Sequence, residues 1–89
     1  MADKAERVVT VRSRHGLHAR PGALFVHTAN GFRCKVEVEA KGKTANAKSI
    51  ISVLSLGINC GDTIVIRARG EDAAQAVAAL AEVAEKELE

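Results

Sequence analysis

Two stretches of the chain alternate between apolar and more polar residues with a period of two. In residues 34–40, Cys, Val and Ala alternate with Lys and Glu, and in residues 64–69, Ile and Ala alternate with Val and Arg. This period predicts strands that have one buried face and one solvent-exposed face. Strands of this kind require helices on one side of the sheet only, which restricts the fold to a few layered architectures.

The remaining elements follow from local signals. The Asn30-Gly31 pair is a strong helix stop, and apolar residues recur at three- and four-residue spacing near the C-terminus. We predict a strand over 7–12, a helix over 19–30, a short strand over 43–46, a helix over 49–56 and a closing helix over 73–88. The order βαββαβα predicts an α/β (α+β) fold, an open-faced sandwich whose four-stranded antiparallel sheet is covered on one face by three helices. We expect residues 1–89 to form a single domain.

Composition excludes several classes of protein. Two cysteines, Cys34 and Cys60, cannot build the disulfide framework of a small secreted domain, and they lie too far apart for a CxxC zinc motif. The chain has no apolar run of about 20 residues and no secretory signal near Met1. We therefore expect a cytoplasmic protein without membrane insertion, metal or cofactor.

Charge is unevenly distributed along the chain. Residues 1–70 carry twelve Lys or Arg against five Asp or Glu, a net charge of 12 − 5 = +7, whereas residues 71–89 carry one against six, or −5. The basic part could bind an acidic partner, a phosphate or a nucleic acid, the last through Arg7, Arg12, Arg14 and Arg20. Only two residues are aromatic, which disfavours base stacking, and we expect no nucleic-acid binding.

The most informative stretch runs from Arg14 to Gly22. Pro21 suits a first helical turn, which places His18 at or near the helix N-cap, where histidine is a poor choice. The free N–H groups of a helix start can bind an anion, and their positive potential favours a neutral imidazole with a ring nitrogen free to attack. Arg20 could then hold the oxygens of a phosphoryl group on His18. The same spacing also fits a surface histidine with no function beside a solvated arginine. A hydrolase built on His18 is the weakest alternative, because the sequence offers no companion nucleophile at a recognisable spacing.

A second feature is the apolar helix that follows Ser49. Ser49 suits a plain N-cap. The apolar residues of 49–56 cover roughly 220° of the helix circumference, whereas contact with a sheet needs only somewhat more than about 100°. Some of these residues must therefore face water, as leftover surface hydrophobicity or as a docking surface.

The segment Gly16-Leu17-His18-Ala19-Arg20-Pro21 resembles the active-site motif of the HPr family, the histidine-containing phosphocarriers of the phosphoenolpyruvate-dependent sugar phosphotransferase system. The segments 47–51 and 55–58 resemble that family's second signature, around a regulatory serine. The resemblance extends over nearly the whole chain. The departures are His15, where a polar or acidic residue is more common, and Gly22, which replaces an alanine.

The resemblance implies that His18 accepts a phosphoryl group on Nδ1 from phosphorylated Enzyme I and passes it to a sugar-specific EIIA domain. It implies that Arg20 binds the phosphate and that an HPr kinase/phosphorylase could modify Ser49. The implied docking residues are Ala19, Pro21, Ile50, Ile51 and Leu54, with Val53 and Leu56 packed inside. We expect a monomeric carrier that is not an enzyme. The alternative is a regulatory or nitrogen-branch paralogue, and His15 and His27 receive no role.

Overall fold

The computed structural model describes residues 3–14 and 16–86. Within these residues, seven elements follow one another: β1 (Lys4–Thr10), α1 (Ala19–Asn30), β2 (Lys35–Ala40), β3 (Lys43–Asn46), α2 (Ile50–Ser55), β4 (Thr63–Arg69) and α3 (Ala73–Glu85). The predicted order βαββαβα is confirmed, and so is the open-faced sandwich. The bounds of α1 and β3 are those predicted from the sequence.

The four strands form one sheet with the spatial order β1-β4-β2-β3, and all neighbouring pairs are antiparallel. The central strand β4 pairs along its whole length with β1, from Lys4 opposite Arg69 to Thr10 opposite Thr63. Ile64, Ile66 and Ala68 of β4 are buried, while the alternate positions of this strand face solvent wholly or in part. The alternation of apolar and polar residues in the sequence therefore corresponds to the alternation of buried and solvent-facing positions on the sheet, as predicted.

The helices cover the face of the sheet on which the apolar strand residues lie. α3 packs against β1, β4 and α1, and α2 packs against α1 and β3. The core is aliphatic except for the fully buried ring of Phe25 in α1. No helix in residues 3–14 and 16–86 has the length and apolar character needed to cross a membrane.

The predicted bounds of β1 were wrong by about three residues at the start and two at the end. The strand begins at Lys4 because β4 offers a pairing partner as far as Arg69, and its polar residues are tolerated on the open face. It ends at Thr10 because the next two N–H groups donate elsewhere, from Val11 to the carbonyl of Asp62 and from Arg12 to the carbonyl of Ala84. The last predicted residue of α3, Leu88, lies outside the described residues.

Candidate functional site

His18 occupies the N-cap of α1, as the position of Pro21 predicts. Its backbone is extended, with φ −105° and ψ 162°, and its side chain makes no capping hydrogen bond. The imidazole is partly exposed. Because the side chain makes no capping hydrogen bond, both ring nitrogens of His18 are available for other contacts. The first backbone N–H groups of α1 have no hydrogen-bond partner within the helix.

The imidazole contacts Asn59, a residue far from it in the sequence and not predicted to belong to the site. His18 Nε2 lies 3.3 Å from the side-chain oxygen Oδ1 of Asn59, which belongs to the loop between α2 and β4. An amide oxygen only accepts hydrogen bonds, so this contact is a hydrogen bond in the tautomer that carries the ring proton on Nε2. In the neutral ring, Nδ1 is then the nitrogen with the free electron pair.

The loop that carries His18 lies directly against the loop that carries Asn59. The N–H of Leu17 donates to the carbonyl of Ile58 over 3.0 Å. Gly16 has φ +64°, and a Cβ there would lie only 2.1 Å from the Ile58 carbonyl oxygen. Only glycine allows this close approach without a backbone shift, so Gly16 helps to place Asn59 beside His18.

Asp62 holds the Asn59 loop in shape. Its Oδ2 accepts a hydrogen bond of 2.8 Å from the N–H of Asn59 and lies 3.4 Å from Nζ of Lys41. The hydrogen bond from Asn59, followed by the contact with Lys41, lowers the pKa of Asp62. This carboxylate is therefore ionised and already engaged.

Arg20, the predicted phosphate partner, lies in the first turn of α1 with its side chain exposed. Within the described part of the chain, neither Arg20 nor Arg14 has a carboxylate oxygen within 4 Å. The guanidinium of Arg20, in the first turn of the helix, is thus available to an anion at the start of α1. Arg7 and Arg12 are also exposed, so the four arginines are spread over β1, the following loop and α1.

The predicted docking residues of α1 differ in their placement. Ala19 is the first residue of the helix. Pro21, in contrast, is fully buried in the first turn of α1. Its part in a docking surface stays a prediction.

Ser49 is the N-cap of α2, and its Oγ accepts a hydrogen bond of 3.3 Å from the N–H of Ser52. Three large apolar side chains of this helix face solvent, with exposed fractions of 38 % for Ile50, 78 % for Ile51 and 38 % for Leu54. We call these three residues the α2 patch. Val53 and Leu56 are buried, as predicted.

The α2 patch adjoins the helix that carries His18. A Cβ on Gly22 would lie 3.1 Å from a methyl carbon of Leu54 and 2.4 Å from the carbonyl oxygen of Leu17. The absence of a side chain at Gly22 therefore lets the first turn of α1 pack closely against Leu17, with Leu54 alongside. Leu54 of the patch therefore lies against the first turn of α1, the helix that begins directly after His18.

The other two histidines and the two cysteines make no contact with this site that the structure describes. His15 lies outside the described residues, and His27 is exposed in the second half of α1. Cys34 is buried and Cys60 exposed, both as free thiols. In residues 3–14 and 16–86, no three or more His, Cys, Asp and Glu side chains lie close enough together to hold a metal ion.

Comparison with known proteins agrees with the fold and the motif. A family profile described as "PTS HPr component phosphorylation site" matches residues 5–86. The HPr-like protein Crh of Halalkalibacterium halodurans is 45 % identical over 82 residues, which are 92 % of this chain and 98 % of that protein. The phosphocarrier protein HPr of Bacillus anthracis superposes with a TM-score of 0.90 at 44 % identity, covering 92 % of this chain and 98 % of that one.

One solved relative is described as a dimer. Crh of Bacillus subtilis, reported as a dimer with a swapped domain, superposes with a TM-score of 0.74 at 43 % identity. The alignment covers 91 % of this chain and 93 % of that one. The monomer expected from the sequence is therefore in tension with the dimers described for solved relatives.

Proposed function

The chain belongs to the HPr family, and from this premise we propose that it is a phosphocarrier of the phosphotransferase system. It accepts a phosphoryl group on Nδ1 of His18 from phosphorylated Enzyme I and passes it to a sugar-specific EIIA domain. The carrier is a covalent intermediate between partner enzymes in the cytoplasm and has no catalytic turnover of its own.

The observation that carries this proposal is the state of His18. Its partly exposed imidazole stands at the start of α1 without capping that helix, and its Nε2 faces the oxygen of Asn59. A nucleophile with one nitrogen occupied and the other free is what acceptance of a phosphoryl group requires.

The surroundings suit a phosphorylated histidine. Three negatively charged oxygens would lie at the N-terminus of α1, where free N–H groups and the helix dipole favour an anion. The exposed guanidinium of Arg20 can bind two of these oxygens at once. Asp62, the carboxylate in the neighbouring loop, is occupied by Asn59 and Lys41, so it is poorly placed to activate water against the phosphoryl group.

The decisive experiment is an intact-mass measurement after incubation with Enzyme I and phosphoenolpyruvate. We expect one added phosphate that is lost in mild acid and is absent from His18→Ala. An active Enzyme I that adds no phosphate to the native chain would reject the carrier proposal for this partner. A regulatory or nitrogen-branch paralogue, not coupled to sugar uptake, is then the function to test.

A regulatory role has separate support at Ser49. Relatives of this chain carry the name Crh, and one solved structure describes that protein as "Catabolite Repression HPr". Ser49 begins α2 directly before Ile50 and Ile51 of the α2 patch. A phosphate on Ser49, added by an HPr kinase/phosphorylase, would be stabilised at the helix start and would place negative charge beside an apolar docking surface.

Substitution of Ser49 tests this regulatory proposal. Ser49→Asp retains an N-cap and should weaken Enzyme I binding by roughly 2- to 5-fold, the effect of one added charge at an exposed interface. Ser49→Asn is the matched control, because it caps the helix without a charge. Binding affinities can be measured by isothermal titration calorimetry. Equal affinities for the Asp and Asn variants would reject regulation through charge at this position.

A further inference from the structure

We propose that Asn59 is a positioning residue for phosphoryl transfer, because its side-chain oxygen holds the proton of His18 on Nε2 and thereby leaves Nδ1 free to attack. This inference rests on the proposed function and adds a residue to it. The two residues are separated by 41 positions in the chain, and His18 Nε2 lies 3.3 Å from Asn59 Oδ1.

The assignment of the proton follows from hydrogen-bond chemistry. A neutral imidazole has one N–H donor and one nitrogen with a lone pair. The nitrogen that faces an amide oxygen must be the donor. Since the His18 side chain does not cap its own helix, Nδ1 is not consumed there and remains the nucleophile.

The same contact acts during transfer. The lone pair of Nδ1 forms the new bond to phosphorus, and the bond between phosphorus and the donor atom of Enzyme I breaks, with its electron pair remaining on that atom. The proton on Nε2 does not move. As the ring gains positive charge, its hydrogen bond to Asn59 strengthens, so this contact stabilises the transition state more than the ground state.

An amide suits this role better than a carboxylate would. A neutral amide oxygen accepts the hydrogen bond from Nε2–H of the charged, phosphorylated ring without placing a negative charge beside the phosphoryl oxygens. A charged ring is the better leaving group when the phosphoryl group moves on to the next partner. Asn59 thus supports both acceptance and release.

The position of Asn59 is fixed by its own loop. Its N–H donates to Asp62, and Lys41 contacts Asp62 and donates through Nζ to the carbonyl of Gly57 over 2.6 Å. These contacts orient the amide before any partner binds, which lowers the cost of reaching the reactive geometry.

The first test reads the proton directly. Nitrogen NMR of the imidazole at about pH 9, well above the ordinary histidine pKa of about 6.5, distinguishes a protonated from an unprotonated ring nitrogen. In the native protein we expect His18 to carry its proton on Nε2 only. Asn59→Ala should show a measurable fraction with the proton on Nδ1, and Asn59→Asp, which retains an acceptor oxygen, should restore the Nε2 form.

The second test is the rate at which phosphorylated Enzyme I charges each variant. Asn59→Ala should accept phosphate roughly 3- to 10-fold more slowly, the effect of one lost hydrogen bond. Cys60→Ser, an exposed change at the next position, is the matched control and should leave the rate unchanged. Thermal unfolding verifies that both variants remain folded.

A native protein with the proton on Nδ1, or an Asn59→Ala variant with unchanged tautomer and rate, would overturn the positioning role. The NMR measurement requires no partner, so the two proposals can fail separately. If Enzyme I adds no phosphate to the native chain, the carrier function is rejected, and with it the role of Asn59 in transfer; the tautomer then shows only whether Asn59 holds the proton of His18 on Nε2.

Discussion

At the start of α3, the carboxylate of Asp72 turns away from its own helix. It accepts hydrogen bonds from the backbone N–H groups of Arg33, over 2.9 Å, and Cys34, over 3.0 Å, and it makes no capping bond to α3. Its negative charge at the start of α3 also suits the helix dipole. The structure adds a second role, in which Asp72 ties the segment between α1 and β2 to the beginning of α3.

The pH dependence of stability should report this contact. The hydrogen bond from Arg33, followed by the contacts with Cys34, lowers the pKa of Asp72 below its ordinary value of 3.8. Because the folded-state pKa is the lower one, this stabilisation is complete above pH 3.8 and is lost as the pH falls through the folded-state pKa. Asp72→Ala should therefore lower the Tm by several degrees at pH 7, and the difference from the native protein should shrink towards pH 2.

Glu71→Ala is the control for this experiment, because Glu71 is exposed and precedes the same helix. It should change the Tm little at either pH. Circular dichroism melts at the two pH values provide the measurement. A Tm difference for Asp72→Ala that is equally large at low pH would mean that the loss does not come from the ionised carboxylate.

Substitution of Arg20 should affect phosphoryl transfer but not folding. Its exposed side chain has no role in the described core, so Arg20→Ala should leave the fold intact. Transfer through His18 should slow by roughly 10- to 100-fold, because a hydrogen bond to a charged group contributes about 1.5–3 kcal/mol. Arg14→Ala controls for the loss of one positive charge nearby. Stopped-flow phosphorylation by Enzyme I gives both rates, and equal rates would remove Arg20 from the mechanism.

At the scale of elements, α2 presents one buried and one exposed face. Val53 is fully buried, whereas Ile51 is 78 % exposed. Val53→Ala should lower the free energy of unfolding by about 2 kcal/mol through the cavity that it leaves. Ile51→Ala should change it by less than about 0.5 kcal/mol and instead weaken binding of Enzyme I.

Denaturant unfolding and calorimetric binding separate the two effects. The prediction fails if Ile51→Ala unfolds as readily as Val53→Ala, since the exposed face would then belong to the core. It fails equally if both variants bind Enzyme I with native affinity, since the α2 patch would then have no part in docking.

At the scale of the whole molecule, β1 makes its contacts within its own chain. It is an edge strand that pairs with β4 of its own chain and packs against α3. The chain after β1 is tied back by the hydrogen bond from Gly61 N–H to the carbonyl of Val11, over 2.7 Å, and by that from Leu17 to Ile58. A dimer that exchanged β1 between two copies of the chain would require this strand to leave this arrangement.

We therefore expect a monomer of 9.4 kDa in solution. Light scattering coupled to size-exclusion chromatography measures the mass over a range of concentrations. A stable species of twice this mass would indicate a dimer, as described for Crh of Bacillus subtilis, and crosslinking between β1 and β4 would then show whether the strand has been exchanged.

Much of the architecture could be predicted from the sequence because the signals are local. The period of two in residues 34–40, the helix stop at Asn30-Gly31 and the N-cap at Ser49 each depend on residues a few positions apart. The start of β1 could not be predicted in this way, because Lys4 belongs to the strand only by pairing with Arg69 of β4.

The candidate site divides in the same way. By itself, the sequence determined the N-cap position of His18, the start and end of α1, and the surplus of apolar residues on α2, since these follow from helix geometry. Only the tertiary structure decided that Pro21 is buried and that Asn59 faces His18. The physical reason is that the loops of these two residues, 41 positions apart, meet only through the packing of the whole sandwich and the close approach that Gly16 allows. No periodicity or helix or strand propensity near either residue predicts that contact.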